Sequence, residues 1–138
     1  FYLSDRWQLR ASLAYIKGDN EAVDTPLDSV DPLTAVVGLR YENPARVWGG
    51  ELLVTAADEK DRVSSTTVIT AESYATTDLI AYYNINDSAT LRVGAFNLFD
   101  EEYARWTNLR GLPEANTSAI ERAFQPGRNL RLALSYEF

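Results

Sequence analysis

Six stretches of this 138-residue chain alternate apolar and polar side chains with a period of two, and the connections between them alternate short and long. A period of two belongs to strands whose two faces meet different surroundings. In the first stretch Trp7, Leu9, Ala11, Leu13 and Tyr15 share one face, opposite Gln8, Arg10, Ser12 and Ala14. The second sets Ala35, Val37, Leu39 and Tyr41 against Thr34, Val36, Gly38 and Arg40. In the third, Trp48, Gly50, Leu52, Val54 and Ala56 oppose Val47, Gly49, Glu51, Leu53 and Thr55. The fourth, about Tyr74 to Tyr83, sets Thr77, Leu79, Ala81 and Tyr83 against Thr76, Asp78, Ile80 and Tyr82. The fifth, Ala89 to Asp100, is ambiguous in phase around Gly94, where a bulge would fit. The last alternates Leu130, Leu132, Leu134, Tyr136 and Phe138 with Asn129, Arg131, Ala133, Ser135 and Glu137. All five prolines fall between these runs, and none of the runs repeats at the helical period. Six strands are expected.

Glu42–Arg46 and Asn84–Ser88 read as tight turns, whereas Asp19–Pro32, Asp58–Glu72 and Glu101–Gln125 are long polar segments. Transmembrane β-barrels have this asymmetry; a soluble barrel or sandwich can show it too. Aromatic placement favours the membrane. Trp7, Tyr41, Trp48, Tyr83, Tyr136 and Phe138 fall at the short-turn end, with Tyr15, Tyr74 and Phe99 toward the other. At about 3.3 Å per residue and about 40° tilt, Trp7 to Tyr15 spans roughly 20 Å, close to the apolar band of such barrels. Trp7, Tyr15, Tyr41, Trp48 and Tyr83 are therefore expected at the membrane interfaces.

The facing set (Gln8, Arg10, Thr34, Arg40, Glu51, Thr55, Asp78, Asn129, Arg131, Glu137) would line a lumen. There Arg10, Arg40 and Arg131 are expected to pair with Glu51, Asp78, Glu137 or residues of a plug. The chain has no Cys and no His, which excludes thiolate sites, histidine triads and local imidazole ligands. No catalytic arrangement stands out. The net charge of −7 argues against nucleic acid. No apolar run is long enough for a transmembrane helix, and the N-terminus has no secretory signal.

Six strands cannot close a transmembrane barrel, because two open edges in lipid leave backbone groups unsatisfied at several kcal/mol each. The expectation is that residues 1–138 are the C-terminal segment of a larger barrel, truncated at the N-terminal side.

Leu91–Tyr103, containing Asn97-Leu98-Phe99-Asp100, resembles the penultimate strand of TonB-dependent outer-membrane receptors. Gln125-Pro126-Gly127-Arg128-Asn129 and the alternation to Phe138 resemble their final strand. Tyr103–Leu112, with Arg105, Trp106 and Arg110, is similar to the branch that takes haem or haem-carrying proteins. The resemblance implies an all-β fold, the last six antiparallel strands of a 22-stranded barrel, in the bacterial outer membrane. It also implies a plug domain, a TonB-contacting box and haem-ligating histidines upstream, with haem as the transported ligand and no cofactor held by this chain. Siderophore or cobalamin uptake is the alternative within the superfamily, and a soluble β-sandwich binding module the alternative outside it.

Leu130, Leu132, Leu134, Tyr136 and Phe138 match the signal read by the barrel-assembly machinery, an edge strand offering free backbone groups and apolar side chains. Arg105, Trp106 and Arg110 are candidates for contacting ligand or carrier protein; equally, Trp106 could fold back as a rim anchor. The acidic segment Asp19–Pro32 lacks the EF-hand pattern and reads as a solvated loop, with no metal site expected.

Overall fold

The computed structural model describes residues 1–137; Phe138 lies outside the described residues. Its main sheet is a six-stranded antiparallel meander of β1 (Trp7–Ala14), β4 (Thr34–Glu42), β5 (Trp48–Ala57), β6 (Tyr74–Asn84), β7 (Ala89–Phe96) and β8 (Asn129–Tyr136), in that order. A two-residue hairpin, β2 (Asp19–Asn20) with β3 (Thr25–Pro26), occupies the first long loop. The last long loop carries two short helices, α1 (Trp106–Leu109) and α2 (Thr117–Ala123), which period-two reading passed over. A local signal for α2 exists: Asn116 caps it, its side chain accepting from the Ala119 N–H.

Register carries one apolar row after another across the sheet. Leu9 pairs with Leu39, Leu39 with Leu52, Leu52 with Leu79, Leu79 with Ala95 and Ala95 with Leu130. Every step joins residues of the same face, so the alternation of single strands becomes a continuous apolar surface. Most of its large side chains stay exposed, Leu13 at 71%, Leu130 at 78% and Leu132 at 74%. A soluble monomer rarely presents a contiguous apolar face of this extent. The buried apolar cluster lies instead among the loops, where Ala71, Ala104, Trp106, Leu109 and Ala123 form a small core.

No bulge interrupts β7, which pairs in unbroken register with β6 from Ala95 to Thr90 and with β8 throughout. Gly94 has another cause. A Cβ there would lie 2.5 Å from the Phe96 ring, which covers the glycine, and the Arg131 guanidinium sits 5.0 Å from that ring's centroid. Gly49 is covered likewise by Tyr82 from the next strand.

Residues Phe1–Leu3 fold back antiparallel along the outer edge of β1, with reciprocal bonds between Phe1 and Leu9. This third short connection lies at the same end as those joining β4 to β5 and β6 to β7.

Candidate functional site

The three long loops meet at one end of the sheet, and Trp106 is where they join. Its side chain is buried, and its Nε1–H donates to the Asp28 carbonyl of the first loop at 2.9 Å. Lys60, from the second loop, holds Nζ 5.7 Å from the indole centroid and 3.5 Å from the Leu27 carbonyl. The Asp28 carboxylate accepts from the backbone N–H of Ser64 at 2.7 Å and from its hydroxyl. Arg62 pairs with Asp19 at 2.6 Å, and Arg110 donates to the Ser29 carbonyl at 3.3 Å. Val63, Val68, Ile69, Leu112 and Ile120 close over the apolar part. The loops thus form one packed cap, and the acidic segment read as a solvated loop is an integral part of it.

A clasp closes the base of the last loop. Asn97 is buried at a positive φ of 51°, its Oδ1 accepting from the Glu101 N–H at 2.9 Å and its Nδ2 donating to the Glu101 carbonyl at 2.8 Å. Its own N–H donates to Asp78 on the polar face at 2.8 Å. Asp100, also at positive φ, accepts from the Arg128 N–H at 2.6 Å. A Cβ at Gly127 would sit 2.7 Å from that same carboxylate oxygen, so glycine lets the strands' two ends approach. The two segments that carried the sequence resemblance are in contact.

Beneath the cap, against the polar face, lies a recess of about 330 Å³. Asp31, Thr55, Tyr74, Thr76, Tyr103 and Arg105 contribute to its walls. Tyr74 and Tyr103 pack with ring centroids 4.3 Å apart at 32°. Tyr74, expected among the aromatics of the long-loop end, turns out to face this recess: it pairs with Ala57 and shares its face with Thr76 and Asp78.

Of the residues expected to contact ligand, Arg105 and Arg110 are exposed, and Arg105 lines the recess. Trp106 is buried at 3% and serves as the hub of the cap, neither a free contact nor a rim anchor. Nothing in the local sequence marks Asp28 or Lys60 as its partners. Among the aromatics named for the interfaces, Trp7, Tyr41 and Trp48 form a chain of rings with centroids 4.8 and 5.1 Å apart, and Tyr83 pairs across from Trp48. Tyr15 lies exposed beyond the other end of β1. On the polar face Arg10 pairs with Glu51, as expected, but Arg40 pairs with Glu42 and Arg131 with the Phe96 ring. Leu130, Leu132, Leu134 and Tyr136 are exposed on the apolar face of the last strand.

Residues 1–98 match the family described as TonB dependent receptor-like, beta-barrel. The chain is 30% identical to the hemoglobin-haptoglobin utilization protein B of Neisseria meningitidis serogroup A, over 92% of its own length and 18% of the relative's. It is also 30% identical to the hemoglobin and hemoglobin-haptoglobin-binding protein of Haemophilus ducreyi, over 87% of this chain and 15% of that one. Among solved structures, the copper transporter OprC superposes with a TM-score of 0.85 at 26% identity, covering 100% of this chain and 22% of that chain. The chain therefore spans less than a fifth of the curated relatives it matches. The soluble-sandwich alternative fails on this match and on the exposed apolar face. The chain belongs to the TonB-dependent receptor-like β-barrel family of the bacterial outer membrane.

Proposed function

We propose that this chain forms part of the wall and the extracellular cap of a receptor that takes up haem, captured from a haem-carrying protein. The observation that carries the reading is the 30% identity, across 92% of the chain, to a hemoglobin-haptoglobin utilization protein. The geometry supports it in kind: the apolar face suits hydrocarbon, the polar face a lumen, and the three long loops pack into one cap. In this reading strands outside the chain complete a 22-stranded cylinder around a plug, and upstream residues supply the TonB contact and the haem ligands. Capture by the loops changes the plug's availability to TonB through differential affinity for its two arrangements. Leu130, Leu132, Leu134 and Tyr136, with Phe138, serve as the strand read by the barrel-assembly machinery. The protein has no enzymatic role.

A siderophore reading draws on the ferric enterobactin receptor of Pseudomonas aeruginosa, whose TM-score of 0.74 at 23% identity shows fold alone. The test is growth of a strain without haem uptake, carrying the full-length receptor, on haemoglobin as sole iron source. Growth that disappears when TonB is deleted is expected. Growth on a ferric siderophore and never on haem or haemoglobin would replace the haem reading.

A further inference from the structure

The cap holds a second concavity, separate from the recess and divided from it by Tyr103. Antiparallel pairing of Ala104 with Phe124, together with the bond from the Gln125 N–H to the Tyr103 carbonyl at 2.8 Å, brings the end of α2 beside the start of the last loop. Ile69, Leu109, Ile120 and Phe124 then wall a groove of about 260 Å³. Phe124 is 40% exposed there.

The charge at the groove is of one sign. Glu72 and Glu102 line it, both exposed, and no Lys or Arg does. Neither carboxylate has an ion-pair partner among the described residues. The imbalance extends over the cap. The long loops, residues 15–33, 58–73 and 97–128, hold fourteen Asp and Glu against seven Lys and Arg, a net −7. The whole chain's net charge is also −7, so the strands and short turns sum to zero. An exposed apolar groove with an acidic rim complements a partner that presents an apolar side chain flanked by basic ones.

We propose that this groove is a docking site for a soluble protein partner, receiving a surface segment that carries an apolar anchor beside Lys or Arg. The proposal rests on the reading that the receptor captures its cargo from a carrier protein, and it names the surface and the chemistry by which the carrier is held. The acidic rim steers the encounter; the Ile69, Ile120 and Phe124 walls retain the anchor after contact.

The experiment measures binding kinetics of the detergent-solubilised full-length receptor toward two probes: haemoglobin and haemoglobin–haptoglobin. Glu72→Lys combined with Glu102→Lys is expected to slow association of the bound probe about tenfold at low ionic strength, the gap shrinking as salt rises. Phe124→Ser is expected to speed dissociation with little change in association. Heat-modifiable gel migration confirms that each variant retains a folded barrel. If the wild type binds a probe and both variants match it in rates and salt dependence, the groove proposal is overturned and the uptake reading stands. If the wild type binds neither probe, both are overturned.

Discussion

Replacing Trp106 tests whether the three long loops form one unit or merely lie side by side. The indole is buried at 3%, donates one hydrogen bond to the Asp28 carbonyl and lies beside the Lys60 ammonium. Trp106→Ala removes a large buried ring at a cost of about 3–5 kcal/mol, and raises the local opening equilibrium by roughly 10² to 5 × 10³ (RT of about 0.59 kcal/mol). Trp106→Phe keeps most of the burial and loses the Nε1–H bond, about 1 kcal/mol and so about fivefold. Hydrogen exchange on the full-length receptor reads both, peptide by peptide. The decisive peptides are distant in sequence: those covering Leu27–Ser29 and Lys60–Ser64 should lose protection along with Trp106–Leu109 in the alanine variant, and to a lesser degree in the phenylalanine variant. The strands β4, β5 and β6 should exchange as before. Loss of protection confined to residues 104–124, with the other two loops unaffected, would refute the hub.

Leu52→Lys, at the middle of the apolar face, should cost about 2–4 kcal/mol in barrel stability, while Thr55→Lys on the polar face should cost under about 1 kcal/mol; denaturant unfolding in lipid vesicles compares them. Gly49→Val places a Cβ about where the Tyr82 ring and the Tyr41 carbonyl lie, at 2.6 and 2.9 Å; because backbone cannot yield cheaply, its folded yield and thermal midpoint should both fall. Asn97→Gly keeps the positive φ and loses the side-chain bonds to Glu101, whereas Asn97→Ala loses both. Protease nicking of the last loop should therefore rank Ala above Gly above wild type, by about 1 kcal/mol between the two variants.

How much of this was legible beforehand differs between strands and loops. The face of each residue in β1, β4, β5, β6 and β8 follows from alternation, because a strand's side chains have no other geometry to adopt. The short turns and the gathering of Trp7, Tyr41, Trp48 and Tyr83 at their end followed from the same pattern, and the resemblance carried by Asn97–Asp100 and Gln125–Asn129 led to the family. Gly94 was visible as an irregularity, but its cause was a ring laid over it by Phe96, a side-chain packing event that mimics the pattern of a bulge. Tyr74 lies at the long-loop end as expected, and its parity with Thr76 and Asp78 puts it on the polar face; that it faces a recess came from the loops folding over that face.

The loops were opaque for a different reason. Trp106 touches Asp28 and Lys60, which precede it by 78 and 46 positions. No periodicity encodes such a meeting. Local sequence by itself settled which side chains share the apolar face of the sheet and which the polar one, since a strand transmits that information residue by residue. Only the tertiary structure decided that the loops would close into a single acidic cap with a recess and a groove, because those contacts arise when the sheet brings the ends of nonadjacent strands within reach of one another.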